Sequence, residues 1–446
     1  MMGTTISPTR QLEIAARFRS ARRRTLALCQ PLTAEDMMVQ SLPEASPAKW
    51  HLAHTAWFFE SFILREFLPG YRVFDANFAW LFNSYYQSFA SFPEKRLRAS
   101  FSRPAVEEIL RFREHVDEGV ERLLGENPEE EALARIELGV NHEEQHQELL
   151  LTDILHAFFT NPLRPVYLAG EDEGLIAASQ EREPSTNSTQ APGHSASGKA
   201  APLRYQQFAG GLCEAGRGEG FCFDNERPRH RVWLEPYSLA GRLVSNGEFA
   251  EFIAAGGYRQ PEFWLSAGWD AVQRNGWRAP LYWTEESSDW SLFTLRGAQP
   301  LARLAAAPVS HVSYFEADAY ARWAGKRLAT EFEWEAAAEG QPIMGNLLDS
   351  ERLAPVGAPE PTQEQGGALQ QLFGDCWEWT ASAYLGYPGF KPLAGTLGEY
   401  NGKFMSGQMV LRGGSCVTPA AHIRASYRNF FAPETRWQFS GIRLAE

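Results

Sequence analysis

A helical bundle followed by an α+β domain is the fold class that the sequence predicts, and three features of the chain predict it. From about residue 8 to 165 the apolar residues recur at helical spacing and glycines are few. Between residues 169 and 202 the chain is rich in Ser, Ala, Gly, Pro and Thr and almost lacks large apolar side chains. Beyond it come short apolar runs, many Gly and Trp, and brief helical stretches. The expected divisions are therefore residues 1–168 for the bundle, 169–202 for a linker or mobile loop, and 203–446 for the second domain. A chain of 446 residues suits two or three domains at roughly 150 residues each.

The elements follow in order. LEIAARFRSARRRTLALC supplies the first helix. Ser46 before Pro47 reads as an N-cap with proline at the first helical position, opening PAKWHLAHTAWFFESFILREF. AVEEILRFREHVDEGVERLL from Ala105 and EALARIELGVNHEEQHQELLLTDILHAFF from Glu131 complete a set of four. In the second half three short helices carry capping boxes, Ser245 with Glu248, Ser313 with Glu316 and Thr330 with Glu333, in which cap oxygen and glutamate satisfy orphan amides reciprocally. The glycines of GRGEG (Gly216, Gly218, Gly220) lack the spacing of a dinucleotide loop and read as a turn.

Composition narrows the function. The chain carries 42 Lys and Arg against 55 Asp and Glu, a net charge of −13, which disfavours nucleic acid and anionic membranes as partners. No apolar stretch approaches the ~20 residues of a membrane span, and no signal-like core opens the chain, so a cytoplasmic protein is expected. The five cysteines are odd in number and lack CxxC spacing, which indicates neither a disulfide framework nor a zinc ribbon.

The chemistry sits in two histidine pairs. His142 and His146 lie four apart on a predicted helix, about 40° around its axis, so both imidazoles can face one point in a bundle interior. His51 and His54, three apart and about 60° around another helix, offer a third ligand without the spacing choosing between them. Asp153, at i+7 from His146, shares the histidine face and is a candidate orienter. Glu148, about 200° from His146, does not. Three neutral imidazoles with open positions suit Fe, Zn, Cu or Ni.

KWHLAHTAWFFE together with NHEEQHQELLLTDI resembles the DinB-type bundle of the ergothioneine-biosynthetic sulfoxide synthases, a non-haem iron family. The downstream segments FDNERPRHRVWLEPYSLAGRLVSNGEFAEFI, PVSHVSYFEADAYARWAGKRLATEFEWEAAA, GDCWEWTAS, LRGGSC and YRNFFAPETRWQFSGIRLA resemble the C-type-lectin-related fold of the formylglycine-generating enzymes. Formylglycine generation itself needs a cysteine pair after RGGS, and only Cys416 stands there.

The resemblance implies Fe(II) held by His54, His142 and His146, with His51 as a neighbour. It also implies O2-dependent C–S bond formation between the imidazole of hercynine, a histidine betaine, and a thiol, giving a sulfoxide. Gln145, Asn429 and Phe430 match substrate-contacting positions, and Arg428 and Phe431 beside them are expected to bind substrate as well. A glutamyl-bearing thiol is met in such enzymes by an arginine pair after FNSYY and an acid after the Arg-Asn-aromatic triplet. Here Phe89 and Phe92 follow FNSYY and Phe431 stands at the acid's place, which favours free cysteine over γ-glutamylcysteine unless Arg96 and Arg98 realign. A phenol suits the proton donor that O2 reduction needs, with Tyr86 first, Tyr85 second, and Tyr384, Tyr387 and Tyr400 in reserve. The alternatives are a 5-histidylcysteine sulfoxide synthase of the ovothiol route, and a non-catalytic binding protein with a structural metal.

Overall fold

The structure is a computed structural model that describes residues 8–169, 200–287, 289–359 and 369–446. Nearly all of the expected linker at 169–202 lies outside the described residues. The chain separates into two compact units. One comprises Met1–Tyr167 with Leu393–Tyr400, the other Leu168–Pro392 with Asn401–Glu446. Among the described residues no helix is long and apolar enough to cross a membrane.

The first unit is built on four helices, α1 (Pro8–Cys29), α2 (Ala48–Phe59), α3 (Val106–Gly125) and α4 (Glu130–Thr160). α1 packs along α4, and α2 packs against both α3 and α4. Every residue of α2 is buried, as a helix with apolar residues all round requires. Even Lys49 lies inside, its ammonium donating to the carbonyls of Phe101, Ser102 and Pro104. α2 runs on through a π-helical turn, Glu60–Leu64, into one more α-turn, Arg65–Phe67.

Its start corrects the sequence reading by one residue. Pro47 occupies the cap position, and its carbonyl accepts from the N–H groups of Trp50 and His51. Ser46 serves tertiary partners instead: its N–H donates to Asp153 and its Oγ accepts from Arg98.

Between α2 and α4 the backbones approach closely, because a Cβ on Gly139 would sit 2.7 Å from Cε1 of Phe59. Beneath α4, Glu143 accepts from Arg22 at 2.9 Å, Arg113 at 2.8 Å and Thr25 at 2.7 Å. Burial alone raises this carboxyl, but the two guanidiniums more than offset it and hold it at about 2. An ionised glutamate thus ties α1, α3 and α4 together below the histidines.

The second unit is α+β. Strands β1 (Tyr205–Phe208), β2 (Gly211–Ala215), β3 (His230–Leu234) and β4 (Tyr237–Ala240) open it, followed by helices α5 (Asn246–Ala254) and α6 (Ser266–Asn275). An antiparallel meander, β5 (Trp283–Glu286), β6 (Asp289–Thr294) and β7 (Gly297–Pro300), comes next. Helix α7 (Tyr314–Trp323), strand β8 (Arg327–Leu328), helix α8 (Glu331–Ala338) and the short pair β9 (Gly345–Asn346) and β10 (Phe373–Gly374) follow. The chain closes with β11 (Trp377–Ala383), β12 (Met409–Arg412), β13 (Asn429–Phe431), β14 (Ser440–Gly441) and β15 (Leu444–Ala445). Two four-stranded sheets result, in the orders β1-β4-β15-β8 and β13-β12-β11-β14.

The three capping boxes form as expected at the starts of α5, α7 and α8. Gly216, in the GRGEG segment, has φ +85° with its Cβ direction blocked by the Glu226 carbonyl, the geometry of a turn. Such short strands leave little continuous ladder, and buried ion pairs bind the loops: Arg424 to Glu226, Arg436 to Glu316, Arg443 to Glu378, and Arg412 to Glu331 and Glu335.

Candidate metal centre

α4 carries His142 and His146 one turn apart, and α2 brings His54 opposite them. One nitrogen from each of the three rings lies within 4.8 Å of the others, and all three residues are buried. Ring centroids are 4.9 Å apart for His54 and His142, 4.8 Å for His54 and His146, and 4.6 Å for His142 and His146. Burial, the dominant cause in each case, pushes all three well below the usual histidine range, His142 to about 3, and so keeps the rings neutral. Neutral nitrogen is the form that ligates a cation.

The surrounding groups aim the rings. Nδ1 of His54 lies 2.6 Å from the Phe82 carbonyl oxygen, which can only accept, so Nδ1 carries the hydrogen and Nε2 keeps its lone pair. That Nε2, with both ring nitrogens of His142, is buried without a hydrogen-bond partner. Orphaned nitrogens in a dry interior cost free energy, and a cation shared between them removes that cost. Three imidazoles of this kind fit a divalent transition metal.

His51 stands one turn earlier on α2. Its Nδ1 is 2.7 Å from Nδ1 of His146, and its Nε2 is 3.2 Å from Asp153. Asp153 therefore orients His51 directly, and His146 only through it. Trp50 stacks on His54 at 4.4 Å, and the Arg98 guanidinium lies 3.5 Å over the Trp50 ring. Arg98 is buried and donates to Ser46 and Ser84, whereas Arg96 is exposed and pairs with Glu94.

Of the residues named from sequence, Gln145 stands between the two α4 histidines and accepts from the Tyr400 hydroxyl. Tyr400, on the segment of residues 393–400 that belongs to this unit, brings its ring to 5.6 Å from His142. Tyr86 is fully buried, stacked on Tyr85 at 4.6 Å and packed against Trp57 and Phe62. Burial first, then the neighbouring phenols of Tyr85 and Tyr400, pushes its hydroxyl well above the ordinary tyrosine range. Phe89 packs against Trp57 and Phe62 at 5.4 Å. Phe92 is half-buried.

The remaining residues lie in the second unit. Phe430 on β13 stacks on Tyr384 at 4.0 Å, and the Tyr384 hydroxyl accepts from Asn225. Asn429 and Phe431 are half-buried on the same strand. Arg428 stands immediately before that strand. Its guanidinium is buried and donates to Glu331 at 2.8 and 2.9 Å and to the carbonyls of Asn225 and Leu385, while lying 4.1 Å from the Tyr387 ring centroid. It anchors the start of β13. Tyr387 joins the same cluster, accepting from Arg412. All five cysteines are thiols, with Cys416 buried.

Two features escaped the sequence reading. The Arg22–Arg113–Glu143 cluster is spread over three helices, and the only hint of it was charge on otherwise apolar faces. Glu399, on the strap beside Tyr400, had no signal of its own.

Two family models and several known proteins match this chain. Residues 17–156 match the DinB superfamily and residues 204–446 the sulfatase-modifying factor enzyme 1-like domain. The hercynine oxygenase of Mycolicibacterium thermoresistibile is 31% identical, over 99% of this chain and 96% of that protein. The hercynine oxygenase of Mycobacterium tuberculosis is 32% identical, over 97% and 98%. Ergothioneine biosynthesis protein 1 of Schizosaccharomyces pombe is 27% identical over 51% of this chain and 28% of that protein. With both domains matched in order and near end-to-end similarity, the chain belongs to the family of the hercynine oxygenases, the ergothioneine-biosynthetic sulfoxide synthases.

Proposed function

We propose that this chain joins the imidazole carbon of hercynine to the sulfur of cysteine, using O2 and an Fe(II) ion held by His54, His142 and His146. The observation that carries the reading is three buried, neutral imidazoles converging within 4.8 Å in a chain similar over nearly its whole length to hercynine oxygenases. The stoichiometry balances with no further oxidant. One C–H and one S–H bond break, one C–S bond forms, one oxygen atom ends on sulfur, and the other leaves as water with the two protons.

Iron(II), when bound, supplies a Lewis centre that acidifies a thiol and the electrons that activate O2. The protein supplies the rest. The Phe82 carbonyl holds His54 in the ligating tautomer. His51, steadied by Asp153, faces Nδ1 of His146. A trimethylammonium group offers no hydrogen-bond donor, so ring faces and electrostatics must hold it; Asn429 and the stacked Phe430, with Phe431, are proposed to contribute, and Gln145 to contact the imidazole. Arg428 is assigned the supporting role of fixing their strand. The proton is assigned to a tyrosine hydroxyl, with Tyr86, Tyr85 and Tyr400 the candidates in the first unit. Proximity to His142 and the bond to Gln145 favour Tyr400 over the two named first from sequence.

Free cysteine is the proposed thiol. Of the two arginines that follow FNSYY, Arg96 is exposed with Glu94 and only Arg98 is buried. One guanidinium matches the single carboxylate of cysteine, whereas Phe89 packs into an aromatic cluster where a glutamyl arm would lack partners.

The test is anaerobic protein reconstituted with Fe(II), then O2 uptake measured across hercynine or histidine with cysteine or γ-glutamylcysteine. Uptake only with hercynine and cysteine together, giving the sulfoxide, is the expected result. A much higher kcat/KM for γ-glutamylcysteine overturns the thiol assignment, preference for histidine moves the chain to the ovothiol route, and no thiol-dependent uptake favours a binding protein.

A further inference from the structure

Two stretches distant in sequence meet on the first unit through one carboxylate. Glu399 accepts from the backbone N–H of Gln87 at 3.1 Å through Oε2, and from the backbone N–H of Ser88 at 2.9 Å through Oε1. Oε1 also accepts from the Ser88 hydroxyl, which lies 3.1 Å from Oγ1 of Thr396. On one side of this junction, Gln87 directly follows Tyr86 and Tyr85. On the other, Glu399 directly precedes Tyr400. Both sides reach the histidines independently, for the Phe82 carbonyl meets His54 while Tyr400 meets Gln145 and lies beside His142. The Phe82 side is stiffened by Asn83, whose side chain accepts from the Tyr86 N–H and donates to the carbonyls of Tyr86 and Ala90. Residues 393–400 are thus a strap, and charge-assisted bonds from one side chain fasten it to an already ordered loop.

We infer that Glu399 is a positioning residue that fixes Tyr400 against Gln145 and His142 by clamping the strap onto the amides of Gln87 and Ser88. The consequence for catalysis rests on the proposed function. With the clamp released, the proton donor drifts, sulfoxide formation slows, and more of the thiol is oxidised alone to sulfinic acid. That side reaction also balances, with both atoms of O2 ending on one sulfur. A misplacement of about 1 Å in such a group costs up to ~100-fold in rate.

The chemistry of the two carboxylate oxygens makes the clamp testable apart from activity. Glu399→Ala removes both acceptors. Glu399→Gln keeps one acceptor oxygen and turns the other into an amide donor, which cannot receive an N–H. In the full-length iron-loaded protein, residue-resolved hydrogen exchange is expected to show both Gln87 and Ser88 amides exchanging at least about tenfold faster in Glu399→Ala, and only one of the two in Glu399→Gln. Iron content and melting temperature should stay at wild-type values, because the histidines are held by other contacts. In turnover with hercynine and cysteine, kcat should fall about tenfold or more in Glu399→Ala, with the sulfoxide-to-sulfinate ratio lowered and partly restored in Glu399→Gln. Unchanged exchange in Glu399→Ala overturns the clamp. Faster exchange with unchanged kcat and product ratio overturns its role in positioning. A wild-type chain that takes up no O2 with both substrates sinks the proposed activity alone, and the exchange measurement then upholds or overturns the clamp by itself.

Discussion

A histidine ligates a metal through a nitrogen whose lone pair points at open space, and a partner on its other nitrogen fixes the aim of the ring. His54 has both, with Nδ1 on the Phe82 carbonyl and Nε2 orphaned in the interior. His51, equally interior, spends its two nitrogens on His146 and Asp153. Spacing along α2 could not separate the two residues, since both sides of this fully buried helix face the interior. The difference lies in what each ring meets across the bundle. His54→Ala is accordingly expected to lose bound iron and turnover while the bundle stays folded. His51→Ala should retain iron with an affinity weakened about 10- to 100-fold, as for removal of a group that orients a ligand. Iron stoichiometry after dialysis, with far-UV circular dichroism to confirm folding, checks both. Full occupancy in His54→Ala with loss in His51→Ala would put the ligand assignment wrong by one helical turn.

Among the elements, α2 and α4 matter most, because the three histidines proposed to hold the metal come from these two helices, whose separation sets the distance between His54 and the other two. Gly139 on α4 accommodates Phe59 of α2, roughly a turn and a half beyond His54. Glycine inside a helix costs about 1 kcal/mol relative to alanine, so propensity alone predicts that Gly139→Ala stabilises α4. The added methyl would however lie 2.7 Å from a ring that is itself fully buried, and overpacking of this kind costs about 1–3 kcal/mol. A net loss of about 1 kcal/mol is expected, together with weaker iron retention as the helices move apart. Chemical denaturation and iron titration measure the two effects, and a stabilised variant with normal iron affinity would show that the ring simply turns aside. The capping boxes of α5, α7 and α8 were legible in the sequence because a cap is a local device whose partners are three residues apart. The start of α2 was not, because Ser46 is drawn away by Asp153 and Arg98, which are distant in sequence.

At the scale of the whole molecule, buried ionisable groups make stability depend on pH. His156, bonded to Ser41 and pushed down to about 4 mainly by burial, and His311, pushed down to about 3 for the same main reason, are both held neutral in the folded chain. Unfolded histidine titrates near 6.5, so the unfolded chain takes up these protons first as the pH falls. The stability these groups contribute is present above 6.5 and is lost as the pH drops from there toward 4. Each adds at most about 1.4 kcal/mol per pH unit inside that window. Denaturation midpoints at pH 8, 6 and 5 should therefore fall with acidity, and His156→Gln should flatten the slope; an identical slope in the variant would remove His156 from the account. The sequence by itself determined the two-unit order, the four helices, the paired histidines on one helix face and the family resemblance. These rest on periodicity and on motifs read within a few residues of one another. Only the tertiary structure decided that Tyr400 stands beside His142, that Arg428 is an anchor for β13, and that Glu399 reaches Gln87 across 312 positions of chain. No local pattern encodes such meetings, because they arise when buried helices and loops close on one another and each polar group takes whatever partner the packing leaves within reach.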